Sequence, residues 1–374
     1  MEHWDGQRGL FAAQHLRAAV HRGVVTAETP FADDQVQPSS IDLRLGPTAI
    51  RVRASFLPGN GYRVADRLPH LQMHTLDLTG GAVLERGCVY IVQLAESLRL
   101  PAELAAMANP KSSTGRLDVF ARVITDHGHA FDHVRPGYAG PLFAEIAPRS
   151  FSVLARTGDR LAQLRLRAGP PVASDAALAD LHDAIGLIDP APAVIDLTNG
   201  LPLTVDVVGD GPGSVIGYRA RKHAGLIDLR KIDHYPIADF WEPLRASPSG
   251  GLVLDPDDFY ILASKERVKV PSTHAAEMVA YDTLIGEFRV HYAGFFDPGF
   301  GDPSAGGAGS RAVLEVRSHE VPFVIDEDQT VGRLVYERLT AEPPVLYGAA
   351  MGSHYQRQGL KLGKHFKRPG LTVV

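Results

Sequence analysis

The chain has 374 residues, a formal net charge of −5 at pH 7, 45% hydrophobic and 22% charged residues, a composition typical of a folded protein with room for two domains. The sequence has no excess of basic over acidic residues, which disfavours a nucleic-acid partner. It also has no apolar run of membrane-spanning length and no signal-peptide pattern, so we expect a cytoplasmic location. Cys88 is the sole cysteine, which excludes an intrachain disulfide and a Cys-x-x-Cys zinc site.

The first predicted element is a short amphipathic helix within residues 9–23, where apolar residues recur at helical spacing and a glycine ends the pattern. Short alternating or β-branched runs follow, separated by Gly, Pro, Asn and Asp, as in an all-β sandwich or barrel. These runs are residues 41–45, 49–52, 89–93, 142–146 and 161–166. Residues 171–194, with prolines and a helical patch, are interpreted as a linker between one domain at 1–170 and a second at 195–374.

The sequence contains an internal duplication. Gly81 to Leu117 recurs without a gap from Gly251 onward, at an offset of 170 positions. Identical pairs at this offset are Val83 and Val253, Tyr90 and Tyr260, Ile91 and Ile261, and Pro101 and Pro271. The offset resumes downstream, where residues 142–145 correspond to 312–315. Because the two copies retain different polar residues, we expect those differences to mark the functional site.

Repeat one retains a polar motif at residues 109–117, which read Asn-Pro-Lys-Ser-Ser-Thr-Gly-Arg-Leu. A lysine, hydroxyl groups, a glycine and an arginine this close together can bind phosphate oxygens. A polar turn with a helix cap explains the composition equally well. The second copy favours the phosphate interpretation, because residues 281–286 lack the lysine and arginine and place Asp282 there.

Repeat two retains acidic residues that can serve a second half of a site. Asp297 precedes Pro-Gly where repeat one has Arg135; such an acid either shapes a turn or accepts a hydrogen bond from a sugar hydroxyl. Glu145 and Glu315 occupy equivalent positions in apolar runs, where burial raises the pKa of a carboxyl and suits it to proton transfer. Taken singly, either glutamate is better explained as a surface residue of an edge strand.

Four motifs occur in an order that resembles one known family, the dCTP deaminases, which share a fold with the trimeric dUTPases. They are residues 37–46 (QPSSIDLRLG), Lys111-Ser112-Ser113-x-Gly-Arg116-Leu117, Ala293-x-x-x-Asp297-Pro298-Gly299 followed by Val313-Leu314-Glu315, and Tyr347 with residues 354–359 (HYQRQG). The chain looks like a double-length, tandem-repeat form. The resemblance implies a mainly β fold, with two dUTPase-like β-barrel (distorted jelly-roll) domains and short helices.

The resemblance also implies roles for individual residues. The triphosphate would be bound by Lys111, Ser112, Ser113, Thr114, Gly115 and Arg116, the deoxyribose by Asp297, and the cytosine by Ala293, Val313, Leu314 and a glutamate, under a C-terminal lid with Tyr347, His354 and Gln358. Since each repeat keeps one half of these motifs, we expect one composite site between the repeats. Glu315 is then a better candidate than Glu145 for the general base, with Ser112 and Arg116 orienting the water.

The expected reaction is hydrolysis of dCTP to dUTP and ammonia without zinc, because one cysteine cannot supply the His and Cys ligands of zinc deaminases. Magnesium would arrive with the triphosphate.

Alternatives to this function are a dUTPase, a bifunctional enzyme that performs both steps, and a nucleotide-binding regulator without catalysis. The retained Glu315 argues against the regulator. The resemblance implies a homo-oligomer. The tail from Pro343 onward has basic residues and no acids. This composition favours a lid that closes over the nucleotide, and the less favoured alternative is a disordered tail.

Overall fold

The computed structural model describes residues 8–170, 174–192, 194–248, 250–280, 288–291, 294–318, 320–348 and 359–367. Strands dominate, which confirms the mainly β prediction. The strands of repeat one are β1 (Gly9–Leu10), β2 (Val25–Ala27), β3 (Ile41–Val52), β4 (Gln72–Asp77), β5 (Ala82–Leu84), β6 (Val89–Arg99), β7 (Leu104–Pro110), β8 (Val119–Thr125), β9 (His133–Val134), β10 (Ala139–Pro148), β11 (Val153–Ala155) and β12 (Arg160–Ala168). Its helices are α1 (Ala13–His21), α2 (Val64–Leu71) and α3 (Ser112–Gly115), with a 3₁₀ turn at Asp33–Gln35.

Repeat two has the same character. Its strands are β13 (Ile188–Asp189), β14 (Leu201–Thr204), β15 (Val215–Ala220), β16 (Ile227–Asp228), β17 (Trp241–Arg245), β18 (Leu252–Leu254), β19 (Phe259–Val268), β20 (His274–Ala280), β21 (Phe288–His291), β22 (Phe295–Phe296), β23 (Ser310–Ser318), β24 (Phe323–Ile325) and β25 (Thr330–Arg338). Its helices are α4 (Asp175–Ile185) and α5 (Ile237–Phe240), with a 3₁₀ turn at Pro303–Ala305. Helix α4 and strand β13 fall within the range interpreted as a linker, but β13 pairs with β19 and Leu178 of α4 is buried in the core of repeat two.

The sequence duplication is also a structural duplication. Strands β5, β6, β7, β10, β11 and β12 recur as β18, β19, β20, β23, β24 and β25 at the same offset. The strand register is preserved as well, because Glu145 lies opposite Ile91 and Glu315 lies opposite Ile261. Each repeat therefore presents its glutamate at the same point of the same strand.

Both glutamates lie on interior strands of their sheets. In repeat one the strand order is β8-β10-β6-β3-β12-β7-β9, and in repeat two β23 lies between β19 and β21. Glu145 is 0% exposed and Glu315 is 6% exposed. The interpretation of either residue as a surface residue of an edge strand is therefore wrong, since the carboxyls are held inside the protein by cross-strand neighbours on both sides.

The helices are short and sit at the ends of strands. Helix α1 begins at Ala13, later than the predicted pattern, because Gly9 and Leu10 instead pair with β12. The predicted helical patch after residue 173 is confirmed as α4, which Ser174 caps by accepting a hydrogen bond from the Ala177 amide at 3.1 Å. None of the helices in the described part of the chain is long and apolar enough to cross a membrane.

The apolar core of repeat one includes side chains from later parts of the chain, among them Ile227, Trp241 and Phe366. Strand β16 pairs in parallel with β11 of repeat one, and a bridge joins Tyr235 to Phe366. Trp241, which is fully buried, packs edge-on against Phe151 at 5.4 Å and against Phe366 at 5.7 Å between ring centroids. The segment 359–367 is thus fixed against repeat one rather than left as a disordered basic tail.

Candidate active site

A cavity of about 550 Å³ opens between the two repeats and brings together most of the predicted site residues. Repeat one contributes Lys111, Ser112, Ser113, Thr114 and Arg116, and repeat two contributes Asp297, Val313, Glu315 and Tyr347. The two halves of the predicted motif set therefore face one space, within one chain.

Some predicted residues lie elsewhere. Leu314 is buried in the core of repeat two, because side chains alternate along β23 and its neighbours Val313 and Glu315 point into the cavity. Gly115 is buried in α3 and does not line the cavity. Ala293, His354 and Gln358 lie outside the described residues.

The phosphate motif forms a tight turn immediately after β7. Lys111 has an extended backbone, and the amide of Arg116 closes the turn by donating to the Ser112 carbonyl at 3.1 Å. The Thr114 hydroxyl donates to the carbonyl of Leu161 on β12 at 2.9 Å, which anchors the turn. The motif is thus a polar turn that also forms part of the cavity wall, where Lys111 and Ser112 line the cavity.

The Lys111 ammonium contacts the Asp42 carboxylate on β3, within the first motif of the chain. Asp42 is 1% exposed, and burial raises the pKa of its carboxyl while the positive charge of Lys111 opposes that rise. The first motif therefore orients the lysine of the second one.

Glu315 is a buried carboxyl that lines the cavity on the side of repeat two. Its Oε1 atom lies 3.8 Å from Nε of Arg116. Burial raises the pKa of Glu315 to about 8, although the Arg116 guanidinium works in the opposite direction. Arg116 is itself held by the tail segment, since its Nη1 atom donates to the Lys361 carbonyl at 3.0 Å. Glu315 can consequently hold or release a proton near neutral pH.

Glu145, the alternative base, is not part of this cavity. Arg122, its cross-strand neighbour on β8, donates to Glu145 Oε1 from Nε at 3.2 Å and also from Nη2. The Arg122 guanidinium stacks on the Phe131 ring at 3.9 Å from the centroid. Helix α2 packs over the same face through Val64, against Ile124 and Phe143. This carboxylate is therefore neutralised and covered.

Asp297 lies at the junction of the repeats. Its Oδ1 atom accepts a hydrogen bond from the Ser39 hydroxyl at 2.5 Å and lies 3.4 Å from Nη2 of Arg165. Arg165 is buried, donates to the Phe296 carbonyl at 3.1 Å and stacks on the Phe295 ring at 3.9 Å. Repeat one thus positions the acid that repeat two supplies.

Sequence reasoning missed several ionisable residues that line the cavity. They are Asp34, Asp159, Arg160, Arg230, Lys364 and His365. Comparison of the repeats gives a signal for Arg160, because the offset of 170 places Thr330 at its position. Lys364 was visible only as one of several tail cations, and Arg230 belongs to a segment without a recognisable motif.

Comparisons with known proteins give one consistent family. The chain matches the 2'-deoxycytidine 5'-triphosphate deaminase (DCD) N-terminal domain over residues 7–170 and the C-terminal domain of the same family over residues 174–366. The crystal structure of a 2'-deoxycytidine 5'-triphosphate deaminase from Agrobacterium tumefaciens is similar, with a TM-score of 0.84 and 52% identity, over 89% of this chain and 99% of that one.

Curated relatives are more distant. A dUMP-forming dCTP deaminase of Halobacterium salinarum is 34% identical over 110 residues, which is 28% of this chain and 52% of that protein. A probable deoxyuridine 5'-triphosphate nucleotidohydrolase of the same species is 28% identical over 163 residues, 44% of this chain and 86% of that protein. The chain thus spans about half the length of the first of these relatives.

Proposed function

Because the chain belongs to the 2'-deoxycytidine 5'-triphosphate deaminase family, we propose that it hydrolyses dCTP to dUTP and ammonia in the cavity between its repeats. The observation that carries this proposal is the meeting of the phosphate motif of repeat one with Glu315 of repeat two in one space. A buried carboxyl of raised pKa beside a phosphate-binding turn suits the hydrolytic removal of an amino group from the base of a nucleotide.

The nucleotide is proposed to lie across the cavity, with its triphosphate at the Lys111 turn. Lys111 and Arg116 supply positive charge, and Ser112 supplies a hydroxyl donor. Magnesium enters as part of the substrate, coordinated by the phosphates. Asp297 accepts a hydrogen bond from a deoxyribose hydroxyl, since a carboxylate has about four acceptor positions and the described contacts from Ser39 and Arg165 leave some of them available.

Glu315 is the proposed general base. Its ionised carboxylate accepts a proton from water as the water oxygen bonds to C4 of cytosine, and it passes that proton to N3. Arg116 and Ser112 orient the water. Glu315 then moves the proton of the new hydroxyl to the amino group, the C4–N4 bond breaks, and ammonia leaves a uracil carbonyl behind. One water is consumed, and the carboxylate is regenerated.

Water activation without zinc is part of this proposal. Zinc-dependent nucleobase deaminases hold the metal with one His and two Cys, or with three Cys, and the sequence contains one cysteine. The raised pKa of Glu315, about 8, makes its ionised form a stronger base than an ordinary carboxylate.

A direct test is incubation of the protein with dCTP and Mg²⁺, followed by quantification of ammonia and nucleotides. Equal amounts of dUTP and ammonia are expected. Intact dCTP together with measurable nucleotide binding would contradict catalysis and support the regulator instead. The predicted homo-oligomer stays a prediction, which light scattering of the purified protein tests.

A second candidate function is further hydrolysis of dUTP to dUMP and pyrophosphate. The motivating observation is the similarity to a dUMP-forming dCTP deaminase and to a probable deoxyuridine 5'-triphosphate nucleotidohydrolase. Release of pyrophosphate from added dUTP would establish the bifunctional reaction, and stable dUTP would limit the protein to deamination.

A further inference from the structure

The charge of the phosphate side of the cavity is largely balanced inside the protein. In the part of the chain that the structure describes, most basic side chains of the cavity have a carboxylate partner: Lys111 with Asp42, Arg116 with Glu315, Arg160 with Asp34, and Arg230 with Asp159. A ligand that carries several negative charges must therefore find additional positive charge.

Lys364 supplies that charge. Its side chain lines the cavity and is half-buried, yet it has no carboxylate partner among the described residues. Burial and the nearby ammonium of Lys111 lower the pKa of Lys364. A partly desolvated ammonium near a second ammonium is unfavourable, so this position favours an anion bound between Lys111 and Lys364.

The backbone of Lys364 is fixed before any ligand arrives. Its carbonyl accepts a hydrogen bond from the Asp233 amide at 3.0 Å, and the carbonyl of His365 accepts one from Tyr235 at 3.0 Å. The adjacent Phe366 is buried in the aromatic cluster with Trp241. The lysine is consequently a built part of the cavity wall, and binding does not have to fold this segment.

The position of Lys364 along the cavity indicates which phosphate it meets. The Lys364 carbonyl is hydrogen-bonded to Asp233, in the segment that carries Arg230, and Arg230 pairs with Asp159 at 2.7 Å in the cavity wall. Lys364 therefore shares the phosphate side of the cavity with Lys111 and with the Arg230–Asp159 pair.

We infer that Lys364 binds the terminal phosphate and so makes the site select nucleoside triphosphates over diphosphates. This inference rests on the proposed function, because it takes the base to lie at Glu315. Lys364 is a specificity residue: it acts on the affinity for the triphosphate and not on the chemistry at C4.

The test compares Lys364→Met with Lys367→Met, a lysine of the same segment whose side chain is exposed and does not line the cavity. For Lys364→Met we expect the KM for dCTP to rise about tenfold, the loss of one charge-assisted hydrogen bond. The kcat for dCTP and the inhibition constant of dCDP stay within about twofold, and Lys367→Met behaves as the wild type. An unchanged KM in Lys364→Met, or an equal loss of affinity for dCTP and dCDP, would overturn the inference.

A second measurement separates this inference from the proposed reaction. Calorimetric titration with inorganic tripolyphosphate requires no deamination, so it remains informative if the wild type leaves dCTP intact. Weaker binding by Lys364→Met than by Lys367→Met supports the role of Lys364 in anion binding, whereas equal affinities reject it.

Discussion

Glu145 and Glu315 occupy the same position of the duplicated strand, yet their surroundings make them opposite kinds of residue. Glu145 is paired with Arg122 across the strand and covered by α2. Glu315 has His291 at the corresponding cross-strand position and faces the cavity with Arg116 3.8 Å away. The two copies of the carboxyl thus differ in their surroundings: Glu145 forms an ion pair with Arg122 away from the cavity, and Glu315 lines the cavity.

The largest expected effect separates the two glutamates by activity. Glu315→Gln removes the base and should lower kcat for dCTP about a thousandfold, whereas Glu145→Gln should leave kcat of the folded protein within about twofold. Ammonia release at saturating dCTP measures both. Loss of turnover in Glu145→Gln alone would reverse the assignment, and full turnover in both variants would remove the carboxyl from the mechanism.

The pH dependence of kcat/KM sharpens the same contrast. Since the reactive form of Glu315 is ionised and its pKa is about 8, kcat/KM should rise about tenfold per pH unit between pH 6 and 7 and level off above about pH 8. Glu145→Gln should keep this profile, because Glu145 is paired with Arg122 and does not line the cavity. A flat profile over this range would contradict Glu315 as the base.

Glu145→Gln should lower the stability of the protein, although it should leave the activity unchanged. Glu145→Gln leaves the Arg122 guanidinium without its partner and should lower the free energy of unfolding by about 2 kcal/mol. The double variant Arg122→Met with Glu145→Gln should recover part of that loss, because neither charge is then buried alone. Urea unfolding of the single and double variants gives the coupling energy. Strictly additive effects would show that the pair is energetically independent.

The smallest expected effect concerns the acid that differs between the repeats. Asp297→Asn should raise the KM for dCTP about fivefold, the value of one hydrogen bond, with kcat within about twofold. Arg135, its counterpart in repeat one, is exposed, so Arg135→Asn is the matched control and should leave KM unchanged. Equal KM values for the two variants would exclude Asp297 from substrate binding.

Much of this molecule could be predicted from its sequence because the duplication supplied an internal comparison. The family assignment and the mainly β fold are confirmed, and the Lys111 turn, Asp297 and Glu315 line one cavity. These successes depended on local patterns, namely alternating strands and short motifs, whose geometry follows from neighbouring residues.

The remainder depends on contacts that no local pattern encodes. The burial of both glutamates follows from which strands flank β10 and β23, and strand order is a property of the whole sheet. Leu314 points away from the cavity because successive side chains on β23 point to opposite faces of the sheet. A shift of one residue in the strand would exchange the two faces. Arg230 and Lys364 reach the cavity because distant segments pack together, so their roles appear only in three dimensions.

The parallel pairing of β16 with β11, and the burial of Phe366 beside Trp241 and Phe151, have a consequence for synthesis on the ribosome. Repeat one emerges first, but β16 and Trp241 are translated roughly 75 to 90 residues after β11 and Phe151. Phe366 follows Phe151 by roughly 200 residues, on the order of tens of seconds at common elongation rates. We therefore expect the nascent chain to expose an apolar surface around Phe151 during that interval, where chaperones can bind.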